Sequence, residues 1–304
     1  MNKIKKKKEL NQIKKPTNIL FNLVFIIISL ICIIPFVFVF IISISSEASI
    51  AQNGYQFIPT ELSASAYEFL WNEKDVIINA FGVSALVTIV GTLLGVILTT
   101  ALGYVLSRPQ YKLKGFFTWV VFIPMIFNGG MVASYVVNAN ILNLKNSIWA
   151  LILPLLVSSF NVVICKTFFK TTVPDSIIES AKIDGASQLN IFGKIVIPIS
   201  KPVFATIGLF LTFAFWNDWF QSSLYITNSR LTSLQALLNN IQKNIEYLAN
   251  NPSAGLSIQQ YVNSMPTEGV RMAIAVVIVL PIACAYPFFQ KYFVTGLTIG
   301  AVKG

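Results

Sequence analysis

The chain has 304 residues, of which 55% are hydrophobic and 11% charged, with a mean hydropathy of +0.70; soluble domains carry about 25% charged residues, so this composition excludes a water-soluble fold and points to a bilayer. The net charge of +10 invites a nucleic-acid reading, but seven of the 22 basic residues fall within the first fifteen positions, with no aromatic side chains among them to stack on bases. Histidine is absent, which excludes a histidine-based hydrolase and removes the commonest metal ligand, and no Gly-rich phosphate loop occurs, so any ATP must be bound by another chain.

Residues 1–15 form a basic tail (Lys3, Lys5, Lys6, Lys7, Lys8, Lys14 and Lys15). The rest, 16–304, reads as one membrane domain with spans near 19–44, 76–106, 116–138, 147–166, 203–226 and 271–293. A hydrocarbon core about 30 Å thick needs roughly 20 apolar residues in helical form. Period-2 alternation is missing, which argues against a barrel, and lipid forces every backbone group to find an internal partner, so the expectation is an all-α bundle of six spans. The first apolar run is about twice as long as a signal-peptide core, which makes it an uncleaved anchor. With both termini cytoplasmic, 17 of the 22 basic residues fall inside, as the positive-inside rule requires. The outer segment 45–75 carries turn signals at Asn53-Gly54 and Ile58-Pro59, followed by Tyr67, Phe69, Leu70 and Trp71, suggesting a short surface helix.

In the second span Gly91 and Gly95 form a small-xxx-small pattern that lets helices approach closely. Pro124 and Asn128-Gly129-Gly130 interrupt the third span, and Pro154 and Asn161 fall in the fourth. Broken backbone at membrane depth survives where neighbours or a water-filled cavity satisfy it, so part of this segment is expected to line a path. Cys32, Cys165 and Cys284 have no metal-like spacing and read as packing residues.

The connecting loop 167–202 is polar and patterned. Pro174 opens a helix whose Ile177, Ile178 and Ala181 recur at helical spacing. Asp184-Gly185 offers a bend, and Asp184 is expected to cap a second helix through Leu189 and Phe192 before Pro198 and Pro202 mark the next span. Glu179 and Asp184 can accept charge-assisted hydrogen bonds, and small Ala181, Gly185 and Ala186 would let a partner come close. Pattern alone leaves a docking loop and a solvated connector equally open.

The run ESAKIDGASQLNIFGKIVIPISKP from Glu179 to Pro202 resembles the EAA loop of permease subunits of ATP-binding cassette (ABC) importers. FNGGMVASYVV from Phe127, NSIWALILP from Asn146, FNVVICKTFF from Phe160, WNDWF from Trp216, LTSLQ from Leu231 and the ending YPFFQKYFVTGLTIGAVKG from Tyr286 are similar to MalG-type carbohydrate-importer permeases, within them the LplC/YtcP-like subgroup. Ser180 departs from the alanine usual in that family. The resemblance implies a MetI/MalG-like, six-transmembrane-helix permease of a bacterial cell membrane, forming half of a path for an oligosaccharide or complex glycan. It also implies, as partners, a second permease subunit, an ABC ATPase dimer and an extracytoplasmic solute-binding protein, with ATP bound and hydrolysed on the ATPase and no cofactor here. Carried over by position, Glu179, Ala181, Asp184, Gly185, Ala186, Phe192 and Pro198 would contact the ATPase. Asn128, Asn161, Phe215, Asn217 and Asp218 are the candidates for the substrate path, as amides, a carboxylate and an aromatic suited to sugars. Asp218, an acid inside an expected span, reads equally as a helix cap. The alternatives are an ion-coupled secondary transporter, for which Asp218 gives thin support, and a scaffold recruiting a cytoplasmic partner.

Overall fold

The computed structural model describes residues 15–250 and 267–301, and among them every regular element is helical, with a single isolated antiparallel bridge between Ser45 and Leu62. All but Lys15 of the basic tail lies outside the described residues. The chain divides into two compact units, residues 1–69 with 263–276, and residues 70–262 with 277–304.

In the first unit, α1 (Lys15–Ser43) is apolar all round and leaves nearly every side chain uncovered until Ile42 and Ser43. A helix apolar on every side and uncovered by protein is suited to lipid contact. The bridge at Ser45 turns the chain into α2 (Glu47–Asn53), whose first turn is capped by the Ser46 hydroxyl accepting from the Ser49 amide at 3.1 Å. The Glu47 carboxylate accepts from the Glu268 and Gly269 amides at 2.9 and 3.3 Å, at the start of the C-terminal helix Thr267–Ala301. That placement satisfies orphan donors with the charge sign the helix dipole favours. Tyr55 donates to the Glu268 carboxylate at 2.7 Å, a bond that with partial burial raises the phenol pKa above its ordinary value. The short helix expected on the outer segment is α3 (Ser65–Asn72).

The second unit is organised on α4 (Lys74–Ser107), against which α8 (Ser159–Thr172) and α12 (Lys201–Trp216) pack. The glycines of α4 make this closeness possible. A Cβ at Gly91 would sit 2.5 Å from the Phe215 ring, one at Gly95 2.8 Å from the Leu156 carbonyl oxygen, and one at Gly103 against the Cys165 Cβ. The small-xxx-small pattern is therefore a packing device, and Cys165 is buried in the seam. Val87, Tyr104, Phe169, Ile207 and Leu211 fill the remaining core.

The third and fourth spans are broken where the sequence places its breakers. The third divides into α5 (Lys114–Ile126), α6 (Gly130–Tyr135) and a π-helical turn (Val136–Ile141). Gly130 lies at φ +80°, with its amide donating to the Asn128 side-chain oxygen at 2.9 Å. The fourth is α7 (Ile148–Ile152), a 3-10 turn Leu153–Leu155 and then α8, with a 49° bend between the halves. Among the described residues α1 and α4 are each long and apolar enough to cross a bilayer, and this bent pair passes the same test as a unit. The loop helices α10 (Gln188–Ile191) and α11 (Ile197–Ile199) flank a π-helical turn, Phe192–Val196, and this stretch meets α12 at 86°. It lies nearly perpendicular to the span it feeds. Beyond α12 come α13 (Phe220–Tyr225) and the amphipathic α14 (Leu234–Asn250), whose start is locked by the Ser84 hydroxyl accepting from the Leu234 amide at 2.8 Å.

Candidate coupling elbow and membrane cavity

Between α8 and α12 the chain forms α9 (Asp175–Ile183), introduced by Pro174, and then reverses. The reversal is a Schellman motif. The Gly185 amide donates to the Lys182 carbonyl and the Ala186 amide to the Ala181 carbonyl, both at 3.0 Å, with Gly185 at φ +76°. L-residues occupy that left-handed region only at a penalty, so the glycine is a backbone requirement. A Cβ at Gly185 would meet no atom within 4 Å. The second helix is capped by Ser187, whose hydroxyl accepts from the Asn190 amide at 3.3 Å, and not by Asp184 as expected. Asp184 is the C-cap of α9, three residues before the position that caps α10.

The seven residues expected to face a partner divide between two sides of this elbow. Ala181 is buried with Ile178 and Ile191 in the core, and Ala186 packs half-buried on the same cluster. Phe192 turns inward too, its ring 5.2 Å from that of Tyr104 and 6.3 Å from that of Phe204. Ala181, Ala186 and Phe192 thus pack within the chain, on the cluster that α4, α8 and α12 share. Glu179, Asp184, Gly185 and Pro198 stand exposed. Two further residues share that outer side, Ile183 at 86% and Leu189 at 84% exposure. The sequence does carry a signal for them, since Ile183 lies off the Ile178/Ala181 stripe and Leu189 sits between Gln188 and Asn190.

Arg108, the C-cap of α4, fastens the elbow from behind. Its guanidinium donates to the Phe169 carbonyl at 2.8 Å, to the Val173 carbonyl at 3.4 Å and to the Asp175 carboxylate at 2.8 Å. The Arg108 side chain is 11% exposed, that of Asp175 54%. One cation thus satisfies carbonyls at the C-terminal end of α8 and joins them to the first turn of α9. Nothing local in the sequence marks Arg108, since its partners lie more than 60 positions away. Gln110 adds a second link, donating to Glu179 at 3.4 Å and accepting from Lys182. A cavity of about 470 Å³ opens beside the elbow, lined by Tyr104, Tyr111, Lys182 and Leu189 among others.

At the other end of α8 the two broken spans meet α12 around a cavity of about 980 Å³. Asn128 and Asn161 both line it, with Ser158, Phe160 and Phe213. The remaining path candidates do not. Phe215 is buried against Gly91, a packing place that corrects its expected exposure to a path. Asn217 donates to the Phe213 carbonyl at 3.0 Å, ending α12. The Asp218 carboxylate accepts from the Gln221 amide in the first turn of α13 at 3.2 Å, and Asp218 is not among the cavity-lining residues.

Residues 91–299 match the family model described as binding-protein-dependent transport system inner membrane component. The chain is 36% identical over 274 residues to Protein LplC of Bacillus subtilis (strain 168), covering 90% of each chain. It is likewise 36% identical over 276 residues to the polygalacturonan/rhamnogalacturonan transport system permease protein YtcP of the same organism, covering 91% of this chain and 94% of that one. A solved bacterial ABC transporter involved in the import of the acidic polysaccharide alginate shares its fold, with a TM-score of 0.77 and 25% identity over 93% of this chain and 99% of that one.

Proposed function

The chain belongs to the family of binding-protein-dependent transport system inner membrane components, and from that premise we propose that it carries an oligosaccharide or complex glycan across the cell membrane, coupled to a separate ATPase through the elbow at 173–202. That it is a membrane permease component of an ABC importer follows from the family. The cargo class is proposed from the names of the relatives, several of which specify oligosaccharide transport. On this reading residues 16–304 work as one translocation domain with both termini in the cytoplasm. The partners are a second permease, an ATPase dimer that binds and hydrolyses ATP, and an extracytoplasmic solute-binding protein.

The observation that carries the reading is the connection made by α8. This helix of 14 residues is about 21 Å long at 1.5 Å rise per residue. Its first turn presents Phe160 and Asn161 to the cavity, and its last carbonyls are held by Arg108, which also holds α9. A force applied to the outer side of the elbow at Glu179, Ile183, Asp184 and Leu189 reaches the cavity wall through one rigid element. Coupling then needs only that the ATPase prefer different elbow positions in its nucleotide states, since a ligand shifts an equilibrium by its differential affinity for the two forms. The geometry supports the ion-coupled alternative less well, because the Asp218 carboxylate is engaged by the Gln221 amide and lies outside the cavity lining.

The test is reconstitution of the chain with its ATPase, second permease and binding protein in proteoliposomes, measuring ATP hydrolysis with and without glycan. Glycan-stimulated hydrolysis that falls at least tenfold in Glu179→Lys, with the protein still inserted, is the expected result. Ion-driven uptake without ATP, or equal rates in the variant and parent, would reject the reading.

A further inference from the structure

The cavity at the bend of the fourth span has a chemistry narrower than carbohydrate in general. Its lining residues include no Asp, Glu, Lys or Arg. Its polar groups are the amides of Asn128 and Asn161 and the hydroxyls of Ser158 and Ser159, set among Pro124, Phe160, Phe213 and aliphatic side chains. The volume, about 980 Å³, is at the upper end of small-molecule sites, about 300–1,000 Å³.

Asn161 is the informative member. The residue is 6% exposed and lines the cavity, and its side chain makes no hydrogen bond among the described residues while its amide atoms are not sealed from solvent. The amide offers both a carbonyl acceptor and two N–H donors, which is the pairing a sugar hydroxyl requires, since each hydroxyl both donates and accepts. Asn128 adds N–H donors, because its oxygen is already engaged by the Gly130 amide. The Phe160 and Phe213 rings suit the apolar C–H faces of a pyranose. A carboxylate finds no counter-charge in this wall, and stripping a carboxylate of water without a cation costs several kcal/mol.

We propose that this cavity is a subsite for the uncharged hydroxyl faces of a neutral oligosaccharide, with Asn161 as the residue that hydrogen-bonds the cargo. The inference rests on the carbohydrate reading above and narrows it. It sets the chain apart from the alginate importer it resembles in fold, whose described cargo is acidic, and from YtcP, whose name specifies polygalacturonan, likewise an acidic polymer.

The experiment uses the reconstituted complex and labelled tetrasaccharides, neutral ones alongside oligogalacturonates of equal length. Neutral tetrasaccharides are expected to accumulate and oligogalacturonates not. Asn161→Ala is expected to lower neutral uptake about two- to tenfold, the loss of one hydrogen bond of about 0.5–1.5 kcal/mol. Asn161→Ser, which keeps a smaller donor and acceptor, is expected to lose less and guards against a variant that fails to insert. Oligogalacturonate uptake equal to or faster than neutral uptake would overturn the proposal, as would Asn161→Ala and Asn161→Ser both transporting at the parental rate. If no saccharide of either kind stimulates ATP hydrolysis, the carbohydrate reading itself falls.

Discussion

Replacing Gly185 separates two reasons for a glycine at the elbow, its backbone angle and its lack of bulk toward a partner. At φ +76° an alanine pays about 1–2 kcal/mol for the left-handed conformation. The stiffer unfolded chain returns about 0.4–1 kcal/mol, leaving a net cost of about 1 kcal/mol. No steric cost is added within the chain, since a Cβ there meets nothing within 4 Å. One kcal/mol is about a fivefold shift in the population of the formed elbow. Asparagine tolerates the left-handed region, so Gly185→Asn should leave the elbow nearly intact despite its greater size. The assay is glycan-stimulated ATP hydrolysis in proteoliposomes, with insertion checked by proteolysis. The expected order is parent, then Gly185→Asn within about twofold, then Gly185→Ala about fivefold lower. If asparagine damages coupling as much as alanine or more, the backbone argument is refuted and clearance for the partner is what the glycine provides.

Arg108→Gln removes a cation that serves two carbonyls and a carboxylate, and is expected to lower thermal stability by about 2 kcal/mol and weaken coupling. Asp175→Asn breaks only the ion pair, whose acid is half exposed, so its effect should stay under about 1 kcal/mol; equal losses in the two variants, read by thermal unfolding in detergent, would contradict this ranking. Ile183→Ser with Leu189→Ser should leave the isolated chain as stable as the parent, because both side chains already face outward, while reducing co-purification with the ATPase at least tenfold. Gly95→Val should destabilise by about 1–3 kcal/mol or prevent insertion, by forcing the Leu156 backbone and Leu211 away from α4. A Gly95→Val protein with parental melting behaviour would show that the seam is loose.

Much of the elbow was legible before any coordinates. Pro174 opening α9, Asp184-Gly185 reversing it and Pro202 entering α12 are local rules, fixed by a missing N–H or a permitted φ, and they hold wherever the sequence occurs. The capping assignment failed by three residues because Asp184 and Ser187 are both competent caps, and only the position of the turn chooses between them. The breaks at Asn128-Gly129-Gly130 and Pro154 were visible as breakers, but not that both open onto the same cavity.

What the sequence settles alone is the solvent and the secondary structure. Lipid offers no hydrogen bonds, so apolar runs of this length must be helical, and a loop kept polar between them must face water. What only the tertiary structure decided is direction. Ala181 and Phe192 point to the core while Ile183 and Leu189 point away, because α4, α8 and α12 cover one side of the elbow and leave the other bare. Likewise Arg108 reads as one more basic residue at a membrane edge until folding brings Phe169, Val173 and Asp175 around it. Such pairings depend on where separate helices come to rest against the Gly91, Gly95 and Gly103 seam, a property of packed volumes that no local pattern contains.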